Sequence, residues 1–354
     1  MIEDKDKDTG KNSYSMFGLT VDQTQVLFSL QRLMLLEDIK ATNTSKSLIT
    51  DTKKRASAKS RWYLSWRKSI NYYLSHLDNR NLKLLNNTYR QIEKKVSGID
   101  EVTDNNVWKY LILLECICFN GYTPLGETED EIKASAKKYA GLKMLKASKE
   151  ETLLSISKIL NVDPKYIKVF QKSLKSAHKQ ITGFWAKSLK YSLLAAIIVA
   201  ILLLPGAREL VLSLAPSGIH GGAAINAGLA ALGGGAVAAG GLGMAGGISV
   251  LVGGGLLLSI GIGGSVGTAI ASISSDVIMN EAVKLEVVLK EIVLSIQKDT
   301  VTFEHILNKL VSDKKQLEIE LEKLQKAQKE NEDKIKELEK SILYMERLIR
   351  ELRS

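Results

Sequence analysis

Residues 218–267, GIHGGAAINAGLAALGGGAVAAGGLGMAGGISVLVGGGLLLSIGIGGSVG, decide how this chain is read. They include 19 glycines in 50 residues, interleaved with Ala, Leu, Ile and Val. They lie inside a longer run, 210–275, in which 66 residues pass without an Asp, Glu, Lys or Arg. A domain folded in water needs a charged, hydrated surface, and this run offers none. In water each Gly would weaken a helix by about 1 kcal/mol relative to Ala. In hydrocarbon the balance changes, because an unpaired backbone group costs several kcal/mol there and forces the helix. Small residues then let helix axes come close, and Gly218/Gly222, Gly243/Gly247 and Gly263/Gly267 have GxxxG spacing. The run therefore predicts membrane-embedded helices that pack through glycine.

Other readings of the same residues fail on chemistry. Residues 241–246, GLGMAG, match the G-x-G-x-x-G dinucleotide fingerprint. No Val/Ile-rich strand leads into them, and no acid follows at the ribose-binding distance, since the first one is Asp276. A phosphate loop would need a lysine, and the run has none. A hydrated Gly/Ala tract is excluded by Leu251, Leu256, Leu257, Leu258, Ile260 and Ile262.

Outward from the run, residues 191–204 are almost continuous Leu, Ile, Val and Ala, bounded by Lys190 and by Pro205-Gly206. With about 20 apolar residues per crossing, 191–275 predicts a transmembrane region of two or three helices. The flank before it is basic. Lys165, Lys168, Lys172, Lys175 and Lys179 recur at helical spacing, Lys187 and Lys190 follow, and no acid occurs between Asp163 and Glu209. Trp185 and Tyr191 stand where interfacial aromatics are expected. Lys172, Lys175, Lys179, Trp185, Lys187 and Lys190 are thus expected at the membrane interface, on a basic juxtamembrane helix over 161–190. The positive-inside tendency then places the N-terminal half in the cytoplasm of a multi-pass membrane protein. The bland alternative for the lysines is a solvated helix face.

Charge is distributed in keeping with this plan. Of the formal net charge of +10, the excess lies before the apolar region: up to Lys190 there are 33 Lys and Arg against 21 Asp and Glu, and from Asp276 onward 15 against 17. Residues 1–18 are charged, with Gly and Ser, and predict a disordered tail without the apolar core of a signal peptide. Residues 19–160 predict a soluble helical domain. Thr20 is the expected N-cap of its first helix, with Asp22 in the first turn. A second helix over about 53–77 carries Trp62, Trp66, Ile70, Tyr73, Leu74 and Leu77 at helical spacing, together with Lys53, Lys54, Arg55, Lys59, Arg61, Arg67 and Lys68. Helical patterns continue over about 80–96, 106–119, 128–147, 149–160 and 163–190, the last opened by Asp163-Pro164. No sustained two-residue alternation appears, so the fold class is all-α.

After Asp276 the chain reads as long helix, with a heptad register from Leu307. The expected seam includes Leu317, Leu321, Leu324, Ile335, Leu338, Ile342, Met345, Ile349 and Leu352, with Lys314, Gln328 and Asn331 as polar members. Ile at a with Leu at d in the last heptads favours a parallel two-stranded coil, hence a homo-oligomer. Gln328 and Asn331 either fix the register or mark a break. The alternative is a hairpin within one chain, packed on 277–296.

No catalytic constellation is legible. His76, His178, His220 and His305 are scattered, and Cys116 and Cys118 form a C-x-C pair with no second pair to complete a zinc site. Glu129, Asp130, Glu131 and the pair Glu150/Glu151 read as first-turn helix residues favoured by the dipole. No enzyme activity, metal or cofactor is expected.

The residues 221–267 resemble the glycine-rich membrane segments of the interferon-inducible small membrane proteins. The overall plan is similar to α-helical pore-forming toxins, and the late coiled coil is similar to that of apolipoprotein L. These resemblances imply a protein that inserts into and perturbs a membrane. The expected function is a membrane-inserted helical effector, of toxin or defence type, that oligomerises through glycine helices and a coiled coil to form a pore or disrupt a membrane. The alternative is a membrane-anchored adaptor that recruits protein partners. A nucleic-acid partner for 53–68, with Trp62, Tyr63 and Trp66 stacking on bases, is a third expectation.

Overall fold

The structure is a computed structural model. It describes residues 19–44, 49–77, 80–86, 89–103, 106–123, 129–182, 212, 215–220, 224, 227, 283–284, 286–326 and 332–353. Among these the chain is all-helical, with no strands. The helices are α1 Val21–Thr44, α2 Ile49–Leu77, α3 Tyr89–Asp100, α4 Val107–Cys118, α5 Glu129–Lys138, α6 Lys146–Ile159 and α7 Lys165–Thr182, then a π-helix Val288–Ile296, α8 Thr300–Lys326 and α9 Glu332–Arg353. The fold divides into two compact units: Met1–Lys168 with Leu210–Ala271, and Val169–Glu209 with Ser272–Ser354.

In the first unit α1 is the central helix, packed against α2, α3, α4 and α6. Its start is a capping box. The Thr20 backbone N–H donates to Gln23 Oε1 at 2.8 Å, and the Gln23 N–H donates back to Thr20 Oγ1 at 3.3 Å, so two otherwise orphaned donors are satisfied. Neighbours on several sides leave α1 almost no solvent face. Val26, Leu27, Phe28, Leu30, Met34 and Leu35 are fully buried, and so are the polar Gln23, Gln31 and Asp38. The helix runs to Thr44, with α2 and α6 packed against it.

Residues 80–86, expected as the start of a helix, are turn and irregular chain instead. Asn81 has φ +51°, which no helix tolerates. Side chains from α1 and α2 take the backbone groups that a helix would have used. Gln25 Nε2 donates to Lys83 O (2.6 Å), Arg32 donates to Leu85 O (2.9 Å), and Asn71 Oδ1 accepts Leu84 N–H (2.8 Å). Asp22 fastens this region to α3 through Lys95 at 2.5 Å and Arg80 at 2.9 Å. Burial tends to raise the Asp22 pKa, but the two cations outweigh it and hold the carboxyl below its ordinary 3.8.

The helix expected over 128–147 stops at Lys138: 139–141 form a turn in which Gly141 has φ +78°, and 142–145 are irregular chain. In the second unit α8 and α9 pack on each other, and α8 packs on the π-helix, whose Val288, Leu289, Ile292 and Val293 are buried.

The expected multi-pass membrane arrangement, with a cytoplasmic N-terminal half, is corrected here: among the described residues no helix is long and apolar enough to cross a membrane. The physical reason lies in their charged faces. Of the helices with the required length, α2 carries exposed Lys53, Lys54, Arg61 and Lys68, and α7 carries five exposed lysines. The segments 191–204 and 221–275, where the spans were expected, lie outside the described residues except for Ala224 and Ala227.

Gly141→Ala isolates the backbone cost at the end of α5, since an added Cβ there meets nothing within 4 Å. A non-glycine residue in the left-handed region costs about 1–2 kcal/mol. Urea unfolding of the variant should show a stability loss of that size, and Gly141→Asn a smaller one.

Candidate functional site

Asp163 and Pro164 open α7, where the Lys165 N–H donates to Asp163 Oδ1 at 2.9 Å. From there Ile167, Phe170 and Ala177 turn inward and are buried, while Lys165, Lys168, Lys172, Lys175 and Lys179 are all exposed. At 100° per residue the five lysines fall within an arc of about 80°, and at 1.5 Å per residue they extend over ~21 Å. Lys165 has a carboxylate partner, Asp163, at 3.1 Å. Among the described residues no salt bridge joins Lys168, Lys172, Lys175 or Lys179 to an acid. The inward side is held in place: Ser173 Oγ donates to a Glu291 carboxylate oxygen in the π-helix. The chain therefore displays a straight cationic face on a helix whose apolar face is already used.

A second chemistry-bearing cluster lies deep in the first unit, and sequence reading missed it. Asp38 is 0% exposed and Lys59 3%. Lys59 Nζ donates to Asp38 Oδ2 at 2.7 Å and to Thr42 Oγ1 at 2.9 Å. Tyr122 O–H donates to the same Oδ2 at 2.5 Å, and Leu145 N–H donates to Oδ1 at 2.6 Å. Burial, then the bond to Asp38, pushes the Tyr122 hydroxyl far above its ordinary 10.0. Tyr122 itself has φ +70°, a strained backbone retained by this bond and by edge-on contact with Trp62 at 5.2 Å. The cluster joins α1, α2 and the connections after α4 and α5. Its groups are spent on one another, so its role is structural. The only sequence signal was Lys59 on the aromatic side of α2, which the surrounding basic residues masked.

The aromatic residues expected to stack on bases, Trp62, Tyr63 and Trp66, are inside the core. Trp62 and Trp66 stack at 6.3 Å, Trp62 Nε1 donates to Thr123 O at 2.6 Å, and Tyr63 is 7% exposed. The cationic side chains around them divide: Lys59 is buried, whereas Lys53, Lys54, Arg55, Arg61 and Lys68 are exposed.

Cys116 and Cys118 are not in a disulfide, and Cys116 is buried. Burial pushes the Cys116 thiol well above its ordinary 9.0, which removes the thiolate needed for reactivity. Lys149 lies beside them, lowered by burial, and its ammonium caps the end of α4 by donating to Ile117 O and Phe119 O, both at 2.8 Å. Glu129, Asp130 and Glu131 do open α5, but Glu150 and Glu151 sit in the second turn of α6, with Glu150 3.8 Å from Lys146. Among the described residues no group of His, Cys, Asp and Glu is placed to hold a metal ion.

Of the expected packing glycines, only Gly218 is described. It occupies a turn with φ +88° and nothing within 4 Å of an added Cβ, so it is a turn glycine rather than a helix contact. Gly222, Gly243, Gly247, Gly263 and Gly267 lie outside the described residues, as do Trp185, Lys187 and Lys190. In the expected coiled-coil seam, Ile342, Met345, Ile349 and Leu352 are buried, and Leu321 and Ile335 are half-buried. Leu317, Leu324 and Leu338 are helical. The described helices of this stretch are α8, to Lys326, and α9, from Glu332; Gln328 and Asn331 lie outside the described residues. The two helices meet within one chain. Lys314, a polar seam residue, bridges Glu318 of its own helix (3.0 Å) and Glu346 of α9 (2.9 Å). Leu348, outside the heptad seam, is buried as well, which makes the inner face of α9 wider than a two-stranded coil needs.

Lys59→Met should cost about 3–5 kcal/mol of stability, the usual cost of leaving a buried charge without its partner. Chemical denaturation of the full chain measures it, and a loss under 1 kcal/mol would show that the cluster does not anchor the fold. No protein-family model matches this chain, and neither a curated protein nor a solved structure is significantly similar to it.

Proposed function

We propose that the chain is a non-enzymatic helical effector whose target is a lipid bilayer. One observation carries the reading: 66 successive residues, 210–275, without an Asp, Glu, Lys or Arg. Such a run avoids water most readily in an apolar phase or against copies of itself. Its glycines suit both, because close backbone approach is the main attraction between helices in a medium as apolar as their side chains. Gly243 and Gly247 are the pair assigned to contact between copies in this reading. The exposed lysine face of α7 supports it, since that helix precedes the apolar residues in the chain and carries the charge complementary to a phosphate-rich surface.

A second reading, an adaptor that recruits protein partners, is favoured by the exposed basic side of α2, where Lys53, Lys54, Arg61 and Lys68 face solvent.

Dye release from sealed vesicles separates the two. The effector reading expects release by the full chain and its loss in Gly243→Leu/Gly247→Leu, which remains apolar and still binds vesicles. An intact chain that binds vesicles without releasing dye leaves the adaptor.

A further inference from the structure

We propose that the lysine face of α7 is a docking surface for the headgroups of an anionic phospholipid membrane. The inference deepens the bilayer reading and rests on it for the choice of lipid as partner. Lys165, Lys168, Lys172, Lys175 and Lys179 form one exposed row, and the helix cannot offer the membrane its other side, because Ile167, Phe170 and Ala177 are buried. An interfacial amphipathic helix binds by sinking its apolar face among the acyl chains. This one presents charge alone, so its attraction is electrostatic, selective for anionic lipid and weakened by salt.

The composition of the row favours lipid over nucleic acid. It is all lysine, a compact point charge suited to a diffuse layer of phosphates, with none of the arginine forks that bind phosphates and bases bidentately. No aromatic residue stands in it to stack on a base: Tyr166 lies off the row and is half-buried against Tyr110, at 5.1 Å. In sequence the row leads to Trp185, Lys187, Lys190 and Tyr191 and then to the apolar 191–204, with no acid between Asp163 and Glu209. Basic residues, then aromatics, then apolar residues is the order met in passing from a headgroup layer to the hydrocarbon.

The test is co-sedimentation of the full chain with phosphatidylcholine vesicles and with phosphatidylglycerol–phosphatidylcholine vesicles, at low and high salt. The proposal expects strong binding to the anionic vesicles that falls at high salt. Each lysine near such a surface is worth roughly fivefold in partitioning. The triple variant K168Q/K172Q/K175Q should therefore bind about a hundredfold more weakly, while the corresponding triple arginine variant retains binding. Unchanged thermal melting shows that both variants fold; if the glutamine variant does not, the lipid and salt dependence of the wild-type chain decides. Equal binding to both vesicle types, or an undiminished triple glutamine variant, overturns the proposal and leaves the bilayer reading standing. Displacement from anionic vesicles by duplex DNA that the glutamine variant no longer binds would assign the face to nucleic acid instead. Anionic binding through α7 without dye release would uphold the docking surface and remove the effector reading.

Discussion

The carboxylate of Asp38 is an acceptor for donors from three other parts of the first unit: the Lys59 ammonium, the Tyr122 hydroxyl and the Leu145 backbone N–H. A buried carboxylate with fewer partners would be costly, since desolvating an ion takes several kcal/mol that only close pairing offsets. The requirement runs in both directions. Each donor is itself removed from water, so α2 and the connections after α4 and α5 have to reach α1 together. The aromatic layer of Trp62, Trp66, Phe119 and Tyr122 closes around the pair and excludes the water that would otherwise screen it. Tyr122, whose hydroxyl bonds to Asp38, has a strained, left-handed φ of +70°.

The same division of one helix into a committed and an uncommitted side recurs in α7, with the opposite result. In α2 the buried side contains a lysine that has found its carboxylate, so its charge is spent inside. In α7 every lysine has been left outside, and four of them have no acidic partner among the described residues. Exposed like charges a few ångströms apart repel one another slightly, and a polyanionic surface relieves that repulsion. The two helices look alike as strings of basic and apolar residues, yet one contributes an internal tie and the other an external face.

In the second unit the heptads of α8 and α9 meet within the chain. A seam of Leu and Ile does not state whether its partner lies in cis or in trans, because both arrangements bury the same side chains. Gln328 and Asn331, polar residues where the seam called for apolar ones, were expected either to fix the register or to mark a break, and they lie outside the described residues. A neighbouring helix in the same molecule is available at far higher effective concentration than one in another. Lys314, unfavourable in a plain apolar seam, is accommodated by Glu346 across the hairpin.

The sequence by itself determined the helical class, the N-cap at Thr20, the opening of α7 at Asp163 and the lysine row, all of which depend on neighbours within a few positions. It also showed that 210–275 has no charge, which composition alone establishes. Only the tertiary structure decided that Lys59 and Asp38, 21 residues apart, share one buried site, and that 80–86 is not helical because Gln25, Arg32 and Asn71 take its backbone groups. Only the tertiary structure, too, placed Gly218 in a turn and closed α8 and α9 within one chain. The physical reason is common to all of these: spacing states which side chains share a face, but burial and pairing depend on what the rest of the chain brings to that face.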